Sequence, residues 1–209
     1  MSGKAAARSL YDVHPSVAYA RAILDNLKAK SGRSPEDWCR LLSKDGPKEE
    51  AARRDWLKSK HGLGMTTAWM IAELSVEKGR EGVEPEAYLA AAPGYVDRMY
   101  EKKAALLPIH EALVKLGRSL GADVKVCPCE TIVPLYRAHV FAQIKPSTLT
   151  RVDFGLALKG AKQKPPARLA DTGGLKKGDR ITHAFRLTTS TEIDAEVRKW
   201  LKVAYDLDG

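Results

Sequence analysis

Apolar residues in the first eighty positions recur every three or four places, and polar punctuation cuts the pattern into four helical segments. Val17, Ala20, Ile23, Leu24 and Leu27 share one helical face behind Pro15, whose fixed φ suits the first helical position, and the run ends at Gly32. A second helix starts at Ser34-Pro35-Glu36-Asp37, an N-cap serine and an N1 proline followed by an acid at N3 that reaches back to the cap amide. Trp38, Leu41 and Leu42 form its stripe. Gly46-Pro47 opens a third helix with Ala52, Trp56 and Leu57 inward and Arg53, Arg54, Lys58 and Lys60 mostly on the wet side. After the turn His61-Gly62-Leu63-Gly64, a fourth helix over 66–78 offers Ala68, Trp69, Ala72, Leu74 and Val76 to a core.

Residues 78–86, KGREGVEPE, hold two glycines and a proline without periodicity, which places a domain boundary there. The expected domains are a small helical one over 1–80 and a second over 86–209. The second begins with helical pattern over 85–120. Pro93-Gly94 is expected to break it outright, and Pro108 is either a kink or a new start. From Asp123 the period changes to two, with strands expected at 123–127, 131–137, 138–145, 150–159 and 181–188. A last helix over 191–205 has Thr191 and Asp194 as its capping box and Ile193, Val197, Trp200, Leu201 and Ala204 as its stripe. The fold class is therefore α+β: a four-helix N-terminal domain, then an antiparallel sheet with helices packed on one face.

Strand parity sharpens this picture. Val152, Phe154, Leu156 and Leu158 alternate with Arg151, Asp153 and Lys159, and Ile181, Phe185 and Leu187 with Thr182, Arg186 and Thr188. If Val140, Ala142 and Ile144 point inward, Arg137, His139, Gln143 and Lys145 join the opposite face. The solvated side of the sheet is then basic and polar.

Charge supports that emphasis. The 209 residues carry a net +9, with 35 Lys and Arg against 26 Asp and Glu. Residues 1–85 hold 15 basic and 12 acidic side chains, leaving 20 and 14 beyond them; from Lys145 to Arg186 the count is ten against three. Such an excess attracts polyanions through counterion release and also serves solubility. An apolar fraction of 44% argues against a disordered chain, and no apolar run approaches the ~18 residues of a membrane helix. The first sixteen residues carry Lys4 and Arg8 without the apolar stretch of a secretory signal, so a cytoplasmic protein is expected. The three cysteines, Cys39, Cys127 and Cys129, fit reduced thiols.

Candidate chemistry is sparse. Cys127-Pro128-Cys129 lacks the second spaced pair that zinc requires, and a disulfide across one residue is strained. His183 has the parity of the apolar side and reads first as a satisfied core histidine. The segment Gly173-Gly174-Leu175-Lys176-Lys177-Gly178 lacks P-loop spacing and reads as part of a mobile basic hairpin loop over 161–180. The turn before residue 66 has the length of a helix-turn-helix, but the helix behind it has no Arg, Lys, Asn or Gln before Lys78 with which to read bases. The four tryptophans fall on apolar stripes, leaving Tyr136 and Phe141 as the stacking candidates on the sheet.

Gly32-x-Ser34, Trp38, Trp56-Leu57-Lys58 and His61-Gly62-Leu63-Gly64 resemble a small helical domain of unknown function found in bacterial proteins. Tyr136, Phe141-Ala142, Phe154-Gly155-Leu156, Thr182-His183 and Trp200-Leu201-x-x-Ala204-Tyr205 resemble the domain often fused behind it. That second domain is similar to the YdhG and YjbR type, with a frataxin-like layout. Some of its members are labelled DNA-binding and others putative transport proteins. The resemblance implies a fold and supplies no catalytic residues.

The expectation is a non-enzymatic binding module without a cofactor, engaging nucleic acid or another polyanion. Arg137, Lys145, Arg151 and Arg186 contribute charge on the sheet, and Lys162, Lys164, Lys176 and Lys177 on the loop, as phosphate contacts. The first rival is a protein or small-molecule binder using the inter-domain cleft, with Tyr136 and His183 as pocket candidates. An enzyme ranks last, since no converging set of titratable groups is visible.

Overall fold

The computed structural model describes residues 10–209. The expected absence of a secretory signal concerns residues 1–9 in part, which lie outside the described residues. Two compact units divide the chain: Val13–Ala90, and Ala91–Gly209 together with residues 10–12.

The first unit is helical. Helix α1 (Pro15–Asp25) ends at Asn26, whose side-chain amide donates to the Ala22 carbonyl at 2.8 Å, and α2 (Leu27–Ser31) runs on to Gly32, at φ 77°. The single expected helix is thus two, because a side-chain amide competes with the helical ladder at that point. Helix α3 (Pro35–Asp45) starts with the capping box read from the sequence. The Ser34 hydroxyl accepts from the Asp37 amide, and the Asp37 carboxylate accepts from the Ser34 amide, both at 3.2 Å. Helices α4 (Glu50–His61) and α5 (Met65–Leu74) complete a core of Leu24, Leu27, Trp38, Leu42, Leu57 and Ile71.

Three positions depart from the expected stripes. Ala52 is exposed, and so is Trp69, at 48%. Arg53, expected on the wet side, is half-buried, and its guanidinium donates to the Pro47 carbonyl and to the carbonyl and hydroxyl of Ser75. It thereby ties the loop before α4 to the end of α5 and satisfies carbonyls that helix geometry leaves open.

Helix α6 (Pro85–Tyr100) runs straight through Pro93 and Gly94, where a break was expected. The proline forfeits one ladder hydrogen bond, a cost of about 3 kcal/mol. Burial of Tyr88, Ala92, Val96, Met99 and Tyr100, one stripe at helical spacing, offsets that cost. Helix α7 (Leu107–Arg118) takes Pro108 in its first turn, so this proline is a start.

The sheet has strands β1 (Lys125–Val126), β2 (Val133–Tyr136), β3 (Val140–Lys145), β4 (Val152–Leu156), β5 (Ala170–Asp171) and β6 (His183–Leu187). They are antiparallel throughout and ordered β1-β2-β3-β4-β6-β5. Strand β5 was not expected; two residues at an edge carry no periodic signal. The loop read as a mobile hairpin is instead folded, holding β5 and the short helix α8 (Gly174–Lys177) between Gly173 and Gly178, both at positive φ. The last helix, α9 (Ala195–Leu207), begins four residues later than expected. Asp194 is its N-cap, accepting from the Glu196 and Val197 amides at 3.1 Å. The capping box belongs to Thr189 and Glu192 around the preceding 3-10 turn.

Register fixes the faces. Ile144, Phe154 and Phe185 lie in one cross-strand row and are fully buried, as are Val152 and Leu187. Helix α9 packs against β3 and β4, and the close approach of Gly117 in α7 to the Leu135 side chain brings that helix onto the same sheet. Gln143, Lys145, Asp153, Ala184 and Arg186 occupy the other, wetter face. Ile181 was expected inward, but its side chain covers Gly155 next to Gln143, on the outer face. The chain is irregular there because Thr182 turns in. Its amide donates to the Leu156 carbonyl and its hydroxyl accepts from the Leu158 amide, so Thr182 is 1% exposed rather than solvated. Among the described residues no helix is long and apolar enough to cross a membrane.

Candidate anion-binding site

The expected basic residues fall into three groups once partners are counted. Lys145 and Arg186 flank Asp153 on the two neighbouring strands, and Arg151 pairs with the same carboxylate at 2.8 Å. Three cations therefore surround one acid at the start of β4. Strand spacing puts Lys145 and Arg186 about 10 Å apart.

Lys162, Lys164, Lys176 and Lys177 lie past the other end of β4, on the segment leading to β6. All four are exposed, and with Lys159 they make no ion pair with any described residue. The two groups sit at opposite ends of a strand and do not form one continuous stripe.

Arg137 belongs to neither. Its guanidinium bonds Asp123 at 2.7 Å, donates to the Tyr205 carbonyl and lies 4.3 Å from the centroid of the Tyr205 ring. That hydrogen bond holds the Asp123 carboxyl below the usual carboxylate range, and the Tyr205 hydroxyl bonds the same acid. Arg168 is spent in the same way. It pairs with Asp194 at 2.5 Å, donates to the Glu192 carbonyl and stacks over Phe185, anchoring the connecting segment to the start of α9. The charge count could not distinguish these paired arginines from the unpaired lysines, since their acids lie far away in sequence.

The remaining candidates separate too. Phe141 is fully buried against the Tyr205 ring and offers no stacking surface. Tyr136 is half-buried at the end of β2, and His183 half-buried at the start of β6, three strands or about 14 Å away. The His183 Nδ1 is 2.9 Å from the Thr182 hydroxyl. Burial pushes the Cys127 thiol up to about 12 and raises Cys129 as well. Such thiols are inert rather than nucleophilic. No cluster able to hold a metal occurs among the described residues. The exposed residues of α5, Met65, Thr66 and Trp69, carry neither cation nor amide for base reading.

Beside the lysine segment lies a cavity of about 400 Å³ that sequence reasoning did not find. Ala157, Leu175, Ala204 and Leu207 give it an apolar wall, and Lys159, Asp179, Arg180 and Asp208 a polar end. Asp208 follows α9, where the helix dipole disfavours a carboxylate, and its side chain is 1% exposed. Three contacts compensate: Arg180 pairs with it, the His139 amide donates to it at 2.8 Å, and the His139 ring lies at 3.2 Å. Arg180 also donates through Nε to the Val140 carbonyl at 2.8 Å, which fixes its plane. A second depression of about 500 Å³ borders Lys145 with Lys102, Lys103 and the Arg98–Glu130 pair.

Comparison with known proteins gives a family for each part of the chain. Residues 20–75 are similar to the family described as Domain of unknown function (DUF4287), and residues 96–208 match that described as Domain of unknown function (DUF5655). No curated protein and no solved structure matches the chain. The match over residues 96–208 covers more than half of the sequence and takes in the sheet, the lysine segment and the cavity, so the chain belongs to the DUF5655 family.

Proposed function

We propose that the α+β unit is a non-enzymatic binding module for a polyanion, and that its partner is the phosphate backbone of nucleic acid. One observation carries this reading: Lys159, Lys162, Lys164, Lys176 and Lys177 crowd a single connecting segment without an ion-paired acid among the described residues, whereas Arg137, Arg151, Arg168 and Arg180 each pair with a carboxylate. Unpaired, solvated lysines are free to neutralise phosphates and so release the cations condensed on a polyanion. Lys145 and Arg186 provide a second, smaller contact around Asp153. We further propose that this unit is of the YdhG and YjbR type that its sequence resembles, some members of which are labelled DNA-binding. These contacts hold phosphates and do not read bases.

Binding of labelled mixed-sequence DNA, duplex and single-stranded, across roughly 50 to 300 mM salt tests the proposal. The log–log slope is expected to reach several units, each contact contributing about −0.9 on duplex and about −0.7 on single strands. Changing Lys162, Lys164, Lys176 and Lys177 to Glu together should flatten it, and Lys145→Glu with Arg186→Glu should do so less. Absence of binding at the lowest salt, or a quadruple variant that binds like the parent, overturns the proposal.

A further inference from the structure

We infer that the cavity bounded by Leu175 and Leu207 receives one unstacked nucleotide of a single strand, so that the module prefers single-stranded to double-stranded nucleic acid. The inference rests on the polyanion reading and adds the form of the partner. Three features carry it. The first is the wall: Leu175 and Leu207 are 57% and 42% exposed, large apolar side chains left partly in water on the lining of a recess that Ala157 and Ala204 also line. A flat ring entering there removes both from water, which an exposed leucine on a convex surface does not require of a ligand.

The second is the polar end. Arg180 is held in place through Nε and Nη2 by the Val140 carbonyl and Asp208, leaving Nη1 without a partner among the described residues, and its side chain is 43% exposed. Lys159 lines the same cavity, also without an ion pair among the described residues. Together they present a fixed donor and a mobile one to a phosphate. Asp179 shares that end, and as an acceptor it suits the amino or ring N–H edge of a base, a group that a bare phosphate or fatty acid lacks.

The third is continuity. Lys176 and Lys177 follow Leu175 directly, so phosphates on either side of the seated nucleotide run onto the lysine segment. A base inside a duplex cannot enter a recess of this kind without leaving its stack, whereas a single strand splays its bases at small cost. The volume, about 400 Å³, falls within the range of small-molecule sites.

The full chain is titrated with a single-stranded oligonucleotide, with the corresponding duplex and with adenosine monophosphate, and 1H–15N spectra follow the amides of Leu175, Gly178, Asp179, Ala204 and Leu207. Leu175→Ala is the main variant. Its site is exposed, so folding is unaffected, and it removes the wall without changing charge. Single strands are expected to bind more tightly than duplex and to shift these amides. Leu175→Ala should weaken the single strand about fivefold or more and leave the duplex unchanged. Equal binding of both forms, or a variant that loses neither or both equally, overturns the nucleotide subsite and leaves the polyanion reading standing. Adenosine monophosphate shifting the cavity amides without any strand binding assigns the site to a free nucleotide, and overturns the strand preference together with the polyanion reading. Silence from all three probes overturns both.

Discussion

Lowering the pH from neutral should destabilise the α+β unit in part through one histidine. His110, on α7, is 3% exposed and faces the Tyr100 ring, with centroids 5.1 Å apart; neither its Nδ1 nor the Tyr100 hydroxyl has a hydrogen-bond partner among the described residues. Burial alone drives its pKa from 6.5 down to about 4, because an imidazolium there has no acid to pair with. The unfolded chain therefore takes up the proton first, and stability falls as pH drops through the window from 6.5 to about 4. At about 1.36 kcal/mol per pH unit the loss approaches ~3 kcal/mol at the bottom of the window and is absent above pH 7. Urea unfolding between pH 4 and 8 measures it. His61 and His14, whose pKa values burial also lowers, and the carboxylates add slopes of their own, so the informative quantity is the difference from His110→Phe, which fills the same space without a proton site. The variant should flatten the curve between pH 6.5 and 4.5. Parallel curves for the two proteins would show that His110 is solvated or paired, and would refute the reasoning.

Three further outcomes follow from packing and capping. Gly155→Val places a Cβ 2.6 Å from the Ile181 side chain and 2.9 Å from Gln143, so it should cost about 1–3 kcal/mol in chemical denaturation despite the preference of valine for strands. Ser34→Ala removes one half of the capping box on α3 and should lower the stability of the helical unit by about 1 kcal/mol, read as a shift in Tm, whereas Ser34→Asp retains most of it. Arg168→Ala releases the contacts to Asp194, the Glu192 carbonyl and Phe185; with the pair partly exposed the loss should be about 1–2 kcal/mol, accompanied by faster amide exchange in residues 169–172.

What the chain determined by itself is what depends on near neighbours. The capping box at Ser34, the burial of Val152, Phe154 and Leu156 on one face of their strand, the change from helical to strand period, and the α+β class all follow from residues within a turn or a strand of one another. Sequence patterns report these because helix ladders, caps and pleats join groups a few positions apart. The crowding of lysines between β4 and β6 was visible for the same reason.

Other features were settled by partners distant in sequence. Pro93 sits within α6 because burial along the whole helix outweighs one lost hydrogen bond. Thr182 turns inward for an amide 24 positions away, and this reverses Ile181. The arginines show the effect most clearly: Arg137 meets Asp123 at 14 positions, Arg168 meets Asp194 at 26 and Arg180 meets Asp208 at 28. A count of charges treats them like the lysines, yet pairing takes up Arg137 and Arg168 and leaves Arg180 only its Nη1 for a ligand. The cavity is of the same origin, since its walls come from the end of β4, the segment around α8 and the last turn of α9. Only chain closure brings those three together, so no local pattern announces the recess or the cation held at its edge.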